Sequence, residues 1–132
     1  MKKILVCGGA GFIGFHVSKR YLSEGCEVHV LDNLSRNGAR ANYICLSQLA
    51  STSPGVFHFH HVDVRISADV DAAVKLVQPD LVVHEAAQVA VTTSVTNPRL
   101  DFEINAIGTF NLLEAVRQYS PESFFVFATT NK

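Results

Sequence analysis

A glycine-rich stretch near the N-terminus carries the clearest chemical signal in the sequence. In "CGGAGFIG", Gly9, Gly11 and Gly14 satisfy the pattern G-x-G-x-x-G, and Gly8 begins the wider pattern G-x-x-G-x-x-G. We expect Gly9 to permit a tight turn, Gly11 to let the backbone approach a pyrophosphate, and Gly14 to let the next helix lie close to a sheet. The pyrophosphate would sit on unpaired N–H groups at the start of that helix. Such a stretch predicts a dinucleotide site if a strand precedes it and a helix follows it.

An acidic residue stands where a dinucleotide site needs one. Asp32 ends an apolar run and lies 21 residues after Gly11. A carboxylate at that point can accept hydrogen bonds from both ribose hydroxyls of an adenosine, and it repels a 2′-phosphate. Asp32 therefore favours NAD as the cofactor, while the nearby Arg36 leaves NADP as an alternative.

Two alternating hydrophobic periods predict the elements that position these residues. Short apolar runs typical of buried strands alternate with segments whose apolar residues have helical spacing. Asn97 and Pro98 predict the start of a long helix, because asparagine caps helices and proline suits their first position. Ser67 is expected to cap an earlier helix. Four apolar residues of the long helix are expected to serve packing rather than to line a ligand site: Phe102, Ile104, Phe110 and Leu113.

The alternation of strands and helices predicts the fold class. The predicted strands are "KKILVC", "EVHVLD", "VFHFHHV", "DLVVHEAA" and "SFFVFA". Because strands that alternate with helices form right-handed crossovers, we expect a parallel sheet covered on both faces. The prediction is an α/β, doubly wound, Rossmann-like fold with three αβα layers and strand order 3-2-1-4-5.

Ligands of open α/β sheets bind at the carboxyl ends of the strands, on either side of the point where the strand order reverses. Asp63 and Val64 follow the third strand, where they could flank an adenine. Small residues after the fourth strand would let a cofactor pass close by. The candidates after the fourth and fifth strands are Ala86, Ala87, Gln88, Thr129 and Thr130.

The composition indicates one packed globular domain, residues 1–132. Apolar residues make up 48% of the chain and charged residues 17%, so disorder is not expected. A formal net charge of −1 gives no reason to expect nucleic acid or an anionic membrane as partner. No stretch approaches the roughly 18 apolar residues of a membrane span. Cys7, Cys26 and Cys45 show no C-x-x-C spacing, which favours reduced thiols in the cytoplasm.

The histidines give no prediction of a metal site. Strand alternation places His61 on the face opposite His58 and His60, and no carboxylate is spaced to complete a ligand set. We expect these imidazoles to be partly buried strand residues. His84, inside an apolar strand, is expected to be a hydrogen-bonded core residue rather than a base.

Several stretches together resemble a known family. "GGAGFIG", "LDNLSR", "VDVR", "VVHEAA" and "FEINAIGTFNLLEA" are similar to the extended short-chain dehydrogenase/reductases, specifically the NAD-dependent nucleotide-sugar epimerases and dehydratases. The similarity covers the whole chain, and its most specific part is "QVAVTTS" with the residues up to "DFEIN". The resemblance implies a nucleotide-sugar substrate, namely a CDP sugar epimerised at C2 by hydride transfer to NAD+ and back. Alternatives are a 4-epimerase or 4,6-dehydratase of the same family, or a non-catalytic dinucleotide-binding module.

The resemblance also assigns roles to individual positions. Thr130 matches the serine or threonine that hydrogen-bonds the reacting sugar hydroxyl, and a loop near the sugar matches Thr92, Thr93 and Ser94. Asn105 would face the cofactor from the long helix. The cofactor residues implied are Gly8, Gly9, Gly11, Phe12, Ile13, Gly14, Asp32, Asn33, Asp63, Val64, Ala86, Ala87, Gln88 and Asn105.

The catalytic pair of the family is not found in the sequence. Family members use a Y-x-x-x-K helix, in which tyrosine moves the hydroxyl proton and lysine lowers its pKa. None of Tyr21, Tyr43 and Tyr119 has lysine four residues later. We therefore expect residues 1–132 to be the NAD-binding N-terminal part of a longer epimerase, inactive without its catalytic helix and substrate domain. The apolar last strand then predicts self-association, which leaves a homo-oligomer open.

Overall fold

A five-stranded parallel sheet forms the centre of the fold in the computed structural model, which describes residues 1–129. The strands lie in the order β3-β2-β1-β4-β5, so the order reverses between β1 and β4. The predicted fold class and strand order are confirmed. The strand bounds are Lys3–Cys7 (β1), Glu27–Asp32 (β2), Val56–His61 (β3), Leu81–His84 (β4) and Phe124–Phe127 (β5).

Helices cover both faces of this sheet. α1 and α2 lie on one face, and α3 and α6 lie on the other. A π-helical turn, Glu103–Ile107, joins α5 to α6, so the predicted long helix is one rod with an interruption. The helix bounds are Phe12–Ser23 (α1), Ala39–Ala50 (α2), Ser67–Val77 (α3), Val91–Thr96 (α4), Pro98–Phe102 (α5) and Gly108–Tyr119 (α6).

The central strand β1 supplies both hydrophobic layers. Leu5 and Cys7 belong to the core cluster under α3 and α6, while Ile4 and Val6 belong to the cluster under α1 and α2. None of the four is more than 1% exposed. Complete burial of a side chain such as Leu5 contributes roughly 1.5–3 kcal/mol, which explains why β1 is apolar throughout.

Helix starts differ from the sequence-based predictions in two places. The Asn97 side chain accepts a hydrogen bond from the Leu100 N–H at 3.2 Å, which confirms the predicted cap. Ser67 is instead the first residue of α3, and no side chain caps that helix. No sequence pattern indicated α4, which has few apolar residues at helical spacing.

The apolar residues of the long helix divide into a buried and an exposed set. Leu112 is fully buried, but Phe102, Phe110 and Leu113 are 59%, 62% and 47% exposed. Nothing within residues 1–129 buries these three side chains, so the packing role expected of them stays a prediction, and Ile104 is half-buried. Helical spacing identified an apolar stripe correctly, but the helix carries two stripes and only one faces the sheet.

Two further properties concern residues 1–129. Within this range no helix combines the length and apolar character needed to cross a membrane. Cys7, Cys26 and Cys45 are free thiols. Burial raises the pKa of the Cys7 thiol, so it stays protonated in the core.

Candidate functional site

The turn between β1 and α1 is too closely packed for side chains. Gly8 has a φ of +77°, a backbone conformation that favours glycine. A Cβ on Gly8 would lie 2.6 Å from the Ala86 nitrogen, and one on Gly14 would lie 2.2 Å from the Gly8 carbonyl oxygen. Since the obstructing atoms are backbone atoms, no rotamer change could relieve either overlap. The geometry therefore requires glycine at both positions.

The tight-turn role predicted for Gly9 belongs to Gly8. Only Gly8 in this turn has positive φ, whereas a Cβ on Gly9 would meet a Val30 methyl group at 2.7 Å. Gly9 is therefore required by side-chain packing against β2. The sequence pattern identified the right stretch but could not tell which glycine takes the left-handed conformation.

The first turn of α1 presents amide groups at the end of β1. The Gly11 N–H donates to the Gly8 carbonyl at 3.0 Å, which closes the turn just before the helix. The first N–H groups of a helix have no intrahelical partner, and the helix dipole makes them attractive to anions. The Phe12 and Ile13 side chains are exposed and flank these groups. The turn can therefore hold a phosphate.

The Asp32 carboxylate lies beside the glycine turn. Its Oδ2 accepts a hydrogen bond from the Ala10 N–H at 3.0 Å, and its Oδ1 accepts one from the Leu34 N–H at 2.8 Å. Each carboxylate oxygen has a second acceptor position for a ligand hydroxyl. Asn42 on α2 holds the turn from the other side, because its Nδ2 donates to the Ala10 carbonyl at 2.8 Å. No sequence motif pointed to Asn42.

A network of side chains joins the ends of β2 and β3. Asp63 Oδ2 accepts hydrogen bonds from Asn33 Nδ2 at 3.1 Å and from Arg65 Nη2 at 2.7 Å. Arg65 also donates through its Nε and its backbone N–H to Asp63 Oδ1. The hydrogen bonds from Arg65 lower the pKa of Asp63 to about 2, so this carboxyl group is an acceptor at neutral pH. Arg65 had no predicted role; its only signal was its place in "VDVR".

Val64 is part of the core. It is 7% exposed, and its side chain packs so closely on α6 that a Cβ on Gly108 would lie 2.6 Å from one of its methyl groups. Its carbonyl oxygen accepts a hydrogen bond from Asn111 Nδ2 at 2.9 Å. Any contact of Val64 with an adenine would therefore come from its backbone.

The segment after β4 is fixed by Asn105. The Gln88 N–H donates to Asn105 Oδ1 at 2.8 Å, and Asn105 Nδ2 donates to the Gln88 carbonyl at 2.9 Å. This reciprocal pair holds the segment that contains Ala86 and Ala87, and Ala86 lies against the Gly8 turn. Asn105 therefore positions this backbone from the π-helical turn, and its amide is already engaged.

His84 is a neutral, hydrogen-bonded core residue, as expected. The Thr109 hydroxyl donates to the Asn105 carbonyl at 2.6 Å, so it accepts from His84 Nε2–H at 2.8 Å. His84 Nδ1 is buried and has no hydrogen-bond partner within residues 1–129. Burial lowers the pKa of His84 to about 4, because the cation would lose its hydration.

The predicted sugar-site residues lie partly outside the described chain. Thr92, Thr93 and Ser94 form part of helix α4 rather than the expected loop. The Ser94 hydroxyl donates to the Val91 carbonyl at 2.6 Å. Thr129 is exposed beyond β5, and Thr130 falls outside the described residues.

A carboxylate joins the histidines that the sequence set aside. Glu27 Oε1 lies 3.0 Å from His29 Nε2 and 3.5 Å from His58 Nε2. The expectation that no carboxylate is placed to complete a ligand set is therefore wrong. Spacing along β3 alone could not reveal this carboxylate, because Glu27 belongs to the neighbouring strand β2.

Comparisons with known proteins assign this chain to a family. The protein-family model described as GDP-mannose 4,6 dehydratase matches residues 5–132. The chain belongs to this family. A curated relative, the CDP-paratose 2-epimerase of Salmonella typhi, is 47% identical over 130 residues, which are 98% of this chain and 37% of the relative. The family resemblance inferred from the sequence motifs is confirmed.

Other proteins similar to this chain carry different names. The dTDP-glucose 4,6-dehydratase of Salmonella typhimurium is 36% identical over 118 residues, which are 89% of this chain and 31% of the relative. The solved structure of the UDP-glucose 4-epimerase of Thermus thermophilus in complex with NAD has a TM-score of 0.81 and 44% identity, covering 97% of this chain and 37% of that one. The chain thus spans about a third of the length of these relatives. NAD, the cofactor predicted from Asp32, is the cofactor in that solved structure.

Proposed function

We propose that residues 1–132 bind NAD and form the NAD-binding part of a nucleotide-sugar epimerase. The observation that carries the proposal is the Asp32 carboxylate, which the Ala10 N–H holds at 3.0 Å beside the glycine turn. The turn itself fits a dinucleotide, because Gly8 and Gly14 leave its backbone without side chains. An acidic group and an open amide turn are the two parts that an adenosine diphosphate requires.

Each part of this edge has a role toward the dinucleotide. The N–H groups at the start of α1 bind the pyrophosphate, and Asp32 accepts the ribose hydroxyls of the adenosine. Asn33 and Asp63 stand on the adenine side, while Ala86 to Gln88 border the middle of the cofactor. When bound, NAD supplies the capacity to accept and return a hydride at a sugar carbon. The charge of Asp32 favours NAD over NADP, because it repels a 2′-phosphate.

The substrate we propose is a CDP sugar that is epimerised at C2. The 47% identity to the CDP-paratose 2-epimerase over 98% of this chain supports it. A second candidate is 4-epimerisation or 4,6-dehydration, supported by relatives that are 44% and 36% identical. In either case Thr92, Thr93, Ser94 and Thr130 are the residues that we propose to lie near the sugar.

We propose that the chain alone does not turn over a nucleotide sugar. The reaction needs a base whose pKa is near the operating pH to remove a hydroxyl proton. No tyrosine in the 132 residues is followed four positions later by lysine, and His84 is buried and bonded to Thr109. Incubation of the purified chain with NAD+ and CDP-paratose should give no C2 epimer by NMR; accumulation of the epimer would contradict this.

NAD binding is tested by thermal unfolding and calorimetry of the chain with NAD+. A ligand that binds only the folded state, at 100 times its Kd, adds about 2.7 kcal/mol to the free energy of unfolding. Asp32→Asn should abolish this stabilisation, because the amide cannot accept both ribose hydroxyls. Asp69→Asn, which removes an exposed carboxylate from α3, is the matched control and should behave like the wild type. NADP+ should bind more weakly than NAD+.

Two results would overturn the proposed site. One is the absence of any NAD+-dependent shift in the wild-type chain. The other is equal NAD+ affinity in Asp32→Asn and Asp69→Asn, which would show that the carboxylate beside the turn does not contact the ligand.

A further inference from the structure

A group of three imidazoles and one carboxylate runs along β2 and β3 from the start of β2, which is the end farther from the candidate dinucleotide site. Glu27 and His29 stand on β2, and His58 and His60 stand on the edge strand β3, where His58 is paired directly with His29. We call these four residues the histidine cluster. They share one face of the sheet, because residues two apart on a strand point to the same side. Glu27 begins β2 and Asp32 ends it, so the two ends are about 16 Å apart.

Three atoms of the histidine cluster converge as the ligands of one cation do. His29 Nε2 and His58 Nε2 lie 3.0 Å and 3.5 Å from Glu27 Oε1, and the three atoms lie within 4.8 Å of one another. In a tetrahedral zinc site, with bonds of roughly 2.0–2.2 Å, neighbouring ligand atoms are about 3.3 Å apart. The 3.0 Å and 3.5 Å distances to Glu27 Oε1 lie on either side of this value. The ligand atoms are therefore spaced for a small metal ion.

The packing of the cluster fixes one ligand and leaves another adjustable. His29 is 7% exposed, and its ring stacks on His58 at 4.5 Å and on His60 at 5.2 Å between centroids. Stacked rings direct their lone pairs along parallel planes, so one of them has to turn to meet a shared ion. The His58 side chain is 45% exposed and can make this rotation, while His29 stays in place.

We propose that the histidine cluster binds one divalent transition-metal ion, of which Zn²⁺ is the representative, through Glu27 Oε1, His29 Nε2 and His58 Nε2. Two imidazoles and one carboxylate are a donor set that suits Zn²⁺ and not Mg²⁺ or Ca²⁺, which prefer oxygen alone. A water molecule completes the tetrahedron. Because β2 and β3 each contribute ligands, the ion ties the edge strand to its neighbour, far from the glycine turn.

Metal binding rearranges the protons of two histidines. A carboxylate only accepts hydrogen bonds, so in the metal-free cluster His29 Nε2–H donates to Glu27, and His29 Nδ1 accepts from His60 Nε2–H at 2.9 Å. The ion takes the place of the proton on His29 Nε2. The displaced proton goes to solvent, His29 Nδ1 takes the proton of His60 Nε2, and His60 Nδ1 takes a proton from solvent. The pair keeps two protons, and His60 becomes a positioning residue that orients the His29 ligand.

The experiment is a zinc titration of the whole 132-residue chain, prepared without a histidine tag and stripped of metal with a chelator. Calorimetry should show one Zn²⁺ per chain, and Zn²⁺ should raise the melting temperature. Glu27→Gln and His58→Gln should each weaken Zn²⁺ binding more than 10-fold, and His60→Gln, which removes only the orienting partner, should weaken it about 10-fold. His61→Gln is the matched control, because His61 lies on β3 but faces the other side of the sheet; it should leave the affinity unchanged.

A second measurement distinguishes loss of a metal ligand from loss of folding. The His58 side chain is exposed enough that His58→Gln should melt like the wild type when no metal is present. Bound Co²⁺ should give the intense visible absorption of tetrahedral coordination in the wild type, and His58→Gln should lose it. Equal Zn²⁺ affinity in His58→Gln and His61→Gln, or the absence of binding to the wild type at micromolar Zn²⁺, would overturn the proposal.

Discussion

The two halves of the sheet differ in how their strand ends are used. On the side of β1, β2 and β3, polar side chains form hydrogen bonds with one another and with the glycine turn. The Asp32 carboxylate accepts one from the Ala10 N–H at 3.0 Å, and the Asn33 side-chain amide donates one to the Asp63 carboxylate at 3.1 Å. On the side of β5, large apolar groups face solvent, with Phe124 79% and Phe127 52% exposed.

The contrast between the halves shows which part of the chain is held in place by hydrogen bonds within the chain itself. On the adenosine side the carboxylates of Asp32 and Asp63 accept their hydrogen bonds from groups within residues 1–65, so they are preorganised for a ligand. The other side offers apolar surface on β5 and α6, which is the kind of surface that binds protein. The ligand-holding half should therefore be sensitive to small changes, and the exposed half should tolerate large ones.

The largest effect is expected at the glycine turn. Gly14→Ala puts a Cβ 2.2 Å from the Gly8 carbonyl oxygen, and only movement of α1 away from the turn can relieve this overlap. We expect a loss of about 4 kcal/mol or more in the free energy of unfolding, measured in urea, together with loss of NAD+ binding. Gly38→Ala is the control, because Gly38 has a φ of +85° but nothing near its Cβ position; it should cost only about 1 kcal/mol. Equal costs at the two glycines would contradict the close packing of the turn.

The next effect concerns a buried residue on β4. The pKa of His84 falls from 6.5 to about 4 on burial, so between these values the unfolded chain binds a proton that the folded chain does not. Stability therefore decreases as pH falls from 6.5 to 4 and loses nothing more from this group below 4. The loss should approach about 3 kcal/mol.

Unfolding in urea at pH 7 and at pH 4.5 measures this loss. His84→Gln removes the titrating group and keeps a donor that can reach Thr109, so its stability should fall less than that of the wild type between the two pH values. If the wild type and His84→Gln lose the same amount, His84 is not neutral in the fold.

The smallest effect on stability is expected on the exposed stripe of α6. Phe110 is 62% exposed, while its neighbour Leu112 is fully buried. Phe110→Ser should change the free energy of unfolding by no more than about 0.5 kcal/mol, whereas Leu112→Ala should cost about 2–5 kcal/mol. We also expect the wild-type chain to self-associate with rising concentration and Phe110→Ser to do so less, by light scattering. A wild-type chain that stays monomeric at all micromolar concentrations would contradict the predicted self-association.

The sequence could predict the features that depend on residues close together in the chain. The strand order followed from the alternation of apolar periods, and the place of Asp32 followed from its distance to the glycines, because both depend on neighbours along the chain. The Asn97 cap was equally local. Local patterns of this kind specify the elements and the strand ends.

The remaining features depend on contacts between distant segments. Asn42 reaches the Ala10 carbonyl from 32 positions away, and Glu27 meets His58 across two strands; neither pair has a spacing that marks it. Nor could helical spacing show which of two apolar stripes on α6 meets the sheet. The close packing at Gly8, the left-handed residue of the glycine turn, comes from Ala86 in the segment after β4.

The number of residues in the π-helical turn Glu103–Ile107 determines how α5 is rotated relative to α6. Each residue of an α-helix advances the side-chain direction by about 100°, so a one-residue deletion in this turn would rotate α5 by that angle relative to α6. The Asn97 cap would then swing to another side of the rod, and Asn105 could no longer meet Gln88 while Thr109 stays on His84. Alanine replacement of the exposed Ile107 should therefore cost less stability than deletion of one residue of the turn. Urea unfolding of the two variants would show whether this helix depends on its number of residues more than on that side chain.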